Sequence, residues 1–547
     1  MMKSLEQSHR QADWRRTFIS IAIIFLWLAA TAGVRRFTSP DEGRYAGVAL
    51  EMLRTGDWLV PRIDGLPFFH KPPLFYWFGA ASMSAFGVSE WPARLPSVLG
   101  ATLAAGALIV FARRWADDTC AAVATVVLVT MPFFYVGAQF ANLDMLVAGC
   151  ISATVLAAAH AALMKEQGGA WRVGLAMAFV MAALGVLAKG LIGFLLPGAV
   201  FFAWCLVTRR FRTAWMLGWW PGWCIFLVIA VPWFVAMQLR YPGFYDYFIV
   251  TQHFRRFAAT GFNNAHPFWF YGPVIAGLTL PWIGWMAWHV VMRRRASRAS
   301  SPSTSSDSPA GFTRFTDVDW LMLVWFCVIV VFFSLPKSKL IGYVLPALPP
   351  LAWFVARTLR AATSVRWTSD PKLRWTTGIA AIVCVASVVA ADRLATPPGA
   401  RLYLPAAEHI GAEDQVVMLD AYYYEIPFYW KLKQTMMVVS DWQDPTLPLH
   451  DNWRNELSDA GGFEPVKAAA RLVNRVDLPR LLCVPRRTWV VGSSASFLAS
   501  PWLLEPRFVL AAHNQEAAVW RFDGPPVADA RCFTLGKPLP SSTGETP

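Results

Sequence analysis

Charge is scarce in this sequence: Asp, Glu, Lys and Arg supply 15% of its 547 residues, against about 25% in an ordinary soluble domain. With 56% hydrophobic residues and a mean hydropathy of +0.40, so few charges cannot clothe a soluble surface. Several uncharged runs are long enough to cross about 30 Å of hydrocarbon, so the chain reads as an α-helical polytopic membrane protein. Metal-type cysteine pairs are also missing, since the eight cysteines include no CxxC. Cys150, Cys205, Cys224, Cys327 and Cys384 lie inside apolar runs and Cys120 at the edge of one, where the side chain acts as a small hydrophobe. That leaves Cys483 and Cys532 in polar sequence, where an oxidising compartment could join them. No small-residue cleavage pattern follows the first apolar run, which reads as a retained anchor.

Aromatic residues, by contrast, are plentiful. The 28 Trp and 38 Phe suit belts at the two membrane interfaces. A net charge of +14 would fit nucleic acid, but most Lys and Arg fall between apolar runs, so orientation in the bilayer and anionic membrane lipids account for them without nucleic acid.

Arg10, Arg15 and Arg16 precede the apolar run 17–34, which places the N-terminus in the cytoplasm and the next turn outside. A short apolar segment follows at 72–88. Further spans are predicted at 95–112, 119–142, 145–164, 173–188, 190–208, 214–239, 267–292, 320–336, 340–356 and 376–391, eleven in all with room for thirteen. Alternation from a cytoplasmic start puts Arg113-Arg114, Lys165 with Arg172, Arg209-Arg210-Arg212 and Arg293-Arg294-Arg295 inside. Residues 1–391 thus form a transmembrane domain with a long outer loop at 35–94. Residues 392–547 read as a soluble α/β domain, periplasmic by the odd span count, with β-rich runs at 415–420, 436–440, 481–484 and 518–522.

The loops assigned to the outside carry the chemistry. Thr38-Ser39-Pro40-Asp41-Glu42-Gly43-Arg44-Tyr45 sets two carboxylates and an arginine just past the first span. His70-Lys71-Pro72-Pro73 holds a cation on a stiff backbone at the interface. Asn142-Leu143-Asp144 opens a span, where Asp144 fits either a helix cap or a second catalytic carboxylate. Lys189 ends a span, and Tyr245 to Arg256 combines His253, Arg255 and Arg256 with aromatic rings. Lys337, Lys339 and Tyr343 lie before and in the tenth span. Outside loops normally carry few cations, so Arg44, Lys71, Lys189, Arg255, Arg256, Lys337 and Lys339 together break the expected bias. Carboxylates facing several cations at a membrane surface fit transfer of a group carried on a lipid phosphate. His70 and His253 are the candidate ligands for a divalent ion, without the fixed spacing of a metal motif.

Pro40-Asp41-Glu42-x-Arg44-Tyr45, His70-Lys71-Pro72-Pro73-Leu74-x-Tyr76-Trp77, Ala93-Arg94-Leu95-Pro96-Ser97 and Lys189-Gly190 resemble the bacterial 4-amino-4-deoxy-L-arabinose lipid A transferases, relatives of the protein O-mannosyltransferases. The resemblance implies a C-type glycosyltransferase fold in the inner membrane. It also implies transfer of aminoarabinose from undecaprenyl phosphate to a lipid A phosphate, giving resistance to polymyxin-type peptides. By the same resemblance, Asp41 matches the essential carboxylate and Lys71 the cation on the carrier phosphate. Asp144 is the choice for a second carboxylate and Arg256 for a second phosphate contact, with Arg255 and Tyr343 beside them and Glu42, Arg44, Tyr45, Lys189 and Lys339 lining the site. No cofactor is required beyond the carrier. The alternatives are a related transferase moving a hexose to protein hydroxyls or another lipid, and a transporter of lipid or sugar. Against the transporter, the charges fall in outer loops rather than at mid-membrane.

Overall fold

The computed structural model describes all residues except 1, 256–263, 300–314, 363–369, 395–401, 403–409, 450, 499, 501–502, 504–506 and 525–547. Two compact units share the chain in an interleaved way. Met1–Arg36 with Phe69–Leu394 makes the helical unit, and Phe37–Phe68 joins Ala395–Pro547 in the second.

In chain order the helices begin with α1 (Met2–Ala29), then α2 (Asp41–Thr55) of the second unit, then α3 (Leu74–Phe86), α4 (Glu90–Trp115), α5 (Asp118–Val129), α6 (Pro132–Ala138), α7 (Leu143–Glu166), α8 (Arg172–Lys189) and α9 (Ile192–Val207). Among the described residues, α4, α7, α8, Trp220–Arg240, Asp317–Ser334 and Pro371–Leu394 are long and apolar enough to cross a membrane. Two bent pairs, α5 with α6 at 67° and Tyr271–Leu278 with Trp282–Met292 at 97°, raise the number from six to eight. The other three of the eleven expected spans take other forms. The 190–208 run is the 16-residue α9; 17–34 is covered only to Ala29 by the 28-residue α1, whose first half is polar; and 340–356 divides into a 3-10 turn, Ile341–Ala347, and the helix Leu348–Ala362. Pro346 inside that turn explains the last, since proline removes a backbone donor that a continuous helix needs.

Two close backbone approaches fix the helices that matter for the site. A Cβ on Gly149 would lie 2.2 Å from the Gly100 carbonyl oxygen, and one on Gly193 would lie 2.1 Å from the Gly185 carbonyl carbon. Only glycine lets α4 meet α7, and α8 meet α9, this closely. The first contact sets the start of α7, and the second sets the turn that ends α8.

The second unit is built on a six-stranded sheet in the order β5-β4-β3-β6-β8-β7. Its strands are β3 (Gln415–Leu419), β4 (Met437–Ser440), β5 (Leu472–Asn474), β6 (Arg487–Ser493), β7 (Phe508–His513) and β8 (Ala517–Asp523), preceded by the hairpin β1 (Arg62–Ile63) and β2 (Leu66–Pro67). β3 lies parallel to both β4 and β6, with Val417 opposite Met437 on one side and Val490 on the other. All five β3 residues are buried, as expected for a central parallel strand. β8 closes the sheet antiparallel to β6 and β7. The run 481–484, expected as a strand, instead finishes the short helix Leu478–Leu482. Pro479 at its start favours helix and supplies no N–H to a ladder. Cys483 is disulfide-bonded; Cys532, expected as its partner, lies outside the described residues.

Candidate active site

Within the helical unit the candidate site starts from a buried arginine. Arg94 is fully buried and donates to the carbonyl oxygens of Ala32, Arg35 and Arg36 at 2.7, 2.8 and 3.0 Å. It thus closes the chain just beyond α1, whose last carbonyls have no partner within the helix. Arg35 in turn donates to the Gln139 carbonyl at 2.9 Å. Ser97 donates to the carbonyls of Phe140 and Asn142 at 2.7 and 3.0 Å. Arg94 and Ser97, from one turn of α4, therefore brace the segment that leads into α7. Asn142 caps that helix, its side-chain oxygen accepting from the Asp144 N–H at 2.7 Å. The capping role that Asp144 could have filled belongs to Asn142.

Freed from capping, the Asp144 carboxylate pairs with the Lys189 ammonium. Both are nearly buried, with side-chain exposures of 9% and 12%. The Lys189 ammonium also lies 4.6 Å from the centre of the Tyr343 ring, a cation–π distance. A Cβ on Gly342 would lie 2.6 Å from Asp144 Oδ2, so the backbone at 342 packs directly on the pair. Three of the expected residues, Asp144, Lys189 and Tyr343, thus come together from widely separated helices.

The remaining expected residues of this unit are dispersed. His70 is buried, its ring 5.9 Å from that of Tyr247, and Lys71 is half-buried at the start of the Pro72-Pro73 segment. Lys339 is buried and donates to the His266 carbonyl at 2.8 Å and to the Pro336 carbonyl, so its ammonium ties the segment before the 3-10 turn Ile341–Ala347 to the segment around His266. His253 and Arg255 lie on the π-helix Asp246–Arg255. Arg256 lies outside the described residues. Among the described residues no three His, Cys, Asp or Glu side chains converge as a metal set.

In the second unit, Asp41 begins a helix rather than sitting in an open turn. Pro40 precedes α2, and Asp41 and Glu42 occupy its first turn, where negative charge meets the positive end of the helix dipole. Glu42 is fully buried and accepts from the Thr38 N–H and hydroxyl at 2.9 and 3.0 Å, so it ties the approach to the helix. Arg44 lies 2.7 Å from Glu456 and 3.6 Å from Asp41. It also faces the Tyr424 ring at 5.0 Å, and Tyr424 donates to Glu456 at 2.5 Å. Burial disfavours the Arg44 charge, but Glu456, Tyr424, Tyr45 and Asp41 outweigh it and hold the guanidinium above its ordinary range. Asp41 keeps a third of its side chain exposed, which leaves it accessible while Arg44 restrains it. Tyr45 is buried.

Sequence reasoning missed Glu456 and Tyr424, which lie far along the chain from α2, and the bracing role of Arg94 and Ser97. The Arg94 signal was available: an arginine inside an otherwise apolar helix needs partners.

Known proteins bear on this arrangement. The family described as dolichyl-phosphate-mannose-protein mannosyltransferase matches residues 70–235. An undecaprenyl phosphate-alpha-4-amino-4-deoxy-L-arabinose arabinosyl transferase of Aeromonas hydrophila is 30% identical over 390 residues, 70% of this chain and 65% of that protein. One from Sodalis glossinidius is 30% identical over 384 residues, covering 69% and 66%. The chain thus spans a little under two-thirds of the length of these relatives. The crystal structure of ArnT from Cupriavidus metallidurans bound to undecaprenyl phosphate matches with a TM-score of 0.72 at 23% identity, over 95% of this chain and 99% of that one. Its fold, the C-type glycosyltransferase fold that the outer-loop motifs imply, is the fold of this integral membrane chain. The sequence matches make the chain a relative of the bacterial undecaprenyl phosphate-aminoarabinose arabinosyl transferases.

Proposed function

We propose that this protein is an inverting glycosyltransferase of the bacterial inner membrane that moves 4-amino-4-deoxy-L-arabinose from undecaprenyl phosphate to a lipid A phosphate. The site faces the periplasm, and the product protects the cell from polymyxin and similar cationic peptides. The observation that carries the reading is Asp41, accessible at the first turn of α2 and restrained by Arg44, in a chain whose relatives are named as undecaprenyl phosphate-aminoarabinose arabinosyl transferases. The positive-inside pattern supports the orientation.

A phosphomonoester acceptor is largely ionised near pH 7, its second pKa being about 6. It needs little help in losing a proton. An acceptor oxygen attacks the anomeric carbon as the bond to the carrier phosphate breaks, and undecaprenyl phosphate leaves with the bonding pair. Asp41 stabilises the positive charge that develops on the sugar, and Lys71 offsets the negative charge on the departing phosphate. Asp144, fixed by Lys189, orients polar groups at the start of α7. Arg255, Arg256 and Tyr343 supply further contacts to lipid phosphate. No step is assigned to a metal at His70 or His253.

The match of residues 70–235 to the mannosyltransferase family favours a second reading, transfer of a hexose to a protein hydroxyl. That acceptor would need Asp41 as a base. Mass spectrometry of lipid A from cells with and without the intact gene tests the choice. Added aminoarabinose that disappears with the gene is the expected result; unchanged lipid A alongside lost protein glycosylation would establish the second reading.

A further inference from the structure

The helical unit carries a broad apolar groove that the proposed transfer leaves unused. One wall follows Leu99, Leu103, Gly106 and Val110 of α4, a spacing that keeps one helix face turned to the groove. Ala153 and Ala157 of α7 continue it, and α1 and α8 supply the rest. The cavity measures about 540 Å³. Leu99 and Val110 are 43% and 41% exposed, so the groove opens sideways to the hydrocarbon. From Leu99 to Val110 the helix rises about 16 Å at about 1.5 Å per residue, close to half of a hydrocarbon core about 30 Å thick. The groove therefore matches the depth of one leaflet.

One end of this groove is cationic. α4 ends in Arg113 and Arg114, α7 ends in Lys165, and α8 begins at Arg172. These ends lie together, since Arg114 reaches the Gln167 side chain at 3.5 Å and the backbone at Gly174 packs on His160. Arg113 pairs with Asp118 at 3.5 Å. Among the described residues no carboxylate pairs with Arg114, Lys165 or Arg172. They lie instead over tryptophan rings, Arg114 over Trp115 at 4.7 Å, and Lys165 and Arg172 over Trp171 at 5.1 and 5.6 Å. Trp115 also donates to His160 at 3.1 Å, which closes the groove on that side. An apolar channel of one leaflet's depth, ending in uncompensated cations and indole rings, has the chemistry of an anionic lipid and its headgroup zone.

We propose that this groove binds an anionic glycerophospholipid, one acyl chain along α4 and the phosphate at Arg114 and Arg172. The short groove suits an acyl chain better than a polyprenyl tail. Occupancy would anchor the α4–α7 pair that positions Asp144, from the opposite end of both helices.

Native mass spectrometry of the full-length protein tests this with phosphatidylglycerol and phosphatidylethanolamine as probes. Phosphatidylglycerol should be retained roughly fivefold more than phosphatidylethanolamine, the scale of one added cation–headgroup attraction. The double substitution Arg114→Gln/Arg172→Gln, on exposed side chains, should abolish that preference without changing thermal unfolding. Ala157→Leu should reduce retention of both lipids by narrowing the channel. Equal retention of the two lipids by the unaltered protein would overturn the proposal. So would phosphatidylglycerol retention that survives both sets of substitutions, or displacement of bound phosphatidylglycerol by equimolar undecaprenyl phosphate.

Discussion

Arg44 and Glu456 lie 2.7 Å apart although α2 and the helix Trp453–Phe463 come from opposite ends of the chain. Both side chains are largely buried, so removing one partner leaves the other charged and desolvated. Glu456→Ala should therefore destabilise the second unit by about 3 kcal/mol. It should also loosen Asp41, which shares Arg44. Faster hydrogen exchange across 41–55, with lower turnover, is the expected outcome. Unchanged exchange would mean that Arg44 does not hold α2 in place.

The Asp144–Lys189 pair gives a test within the helical unit. Lys189→Met alone leaves a buried carboxylate uncompensated, whereas Asp144→Asn/Lys189→Met removes both charges. The single variant should be the less stable of the two by about 1 to 3 kcal/mol. Gly342→Ala is subtler. The new methyl would press on Asp144 Oδ2 from 2.6 Å, so the carboxylate must shift while the fold survives. Turnover should fall roughly tenfold or more, as small displacements at reacting centres commonly cost. Full activity in Gly342→Ala would remove the Asp144 position from the mechanism.

Much of this was readable in the sequence, and the gaps have physical causes. Apolar runs announce helices in a membrane, but hydropathy cannot distinguish a continuous helix from one broken at Pro346, or from the 67° bend between α5 and α6. Asp41, Asp144 and Lys189 could be chosen because cations and carboxylates beyond the spans stand out. Their partners could not: the Asp144–Lys189 contact depends on two glycine crossings, and Glu456 looks like any glutamate in a polar helix. The Leu481–Val484 run was ambiguous by length, and Pro479 was the overlooked signal for helix. Asp64-Gly65 was overlooked in the same way: Asp-Gly is a hairpin-turn signal, and the structure makes it one, with φ of 52° and 82° at its two centres.

That hairpin carries a pH dependence. Asp64 accepts from the Met436 N–H and Glu51 from the Gly65 N–H, both at 2.7 Å. Burial raises both carboxyls, each to about 7, against the backbone hydrogen bonds that pull them down. In the unfolded chain they titrate near 4. Between those values the native state holds more protons, so stability is full below about pH 4 and falls as pH rises towards 7. The Glu51 charge raises Asp64 further and the two carboxyls titrate as a coupled pair, so the loss should be smaller than the sum of two independent shifts. Glu51→Gln should flatten the decline, read by hydrogen exchange in β4 at several pH values. A decline identical to that of the unaltered protein would exclude Glu51 as its source.

Asp41 supplies the sharpest test of the chemistry, because the two acceptors ask different things of it. If Asp41 stabilises charge on the sugar, Asp41→Asn should lower kcat by roughly a hundredfold or more while donor binding persists. The acceptor phosphate, which ionises near pH 6, would then set the acid limb of the pH–rate profile, and that limb should survive in the weakened variant. Were Asp41 a general base for a hydroxyl, the limb would belong to the carboxylate and disappear with it. Lys71→Ala makes the complementary change and should weaken use of the lipid-phosphate donor. Donor titrations on both variants separate the roles, since loss of donor binding in Asp41→Asn would assign the carboxylate to positioning alone.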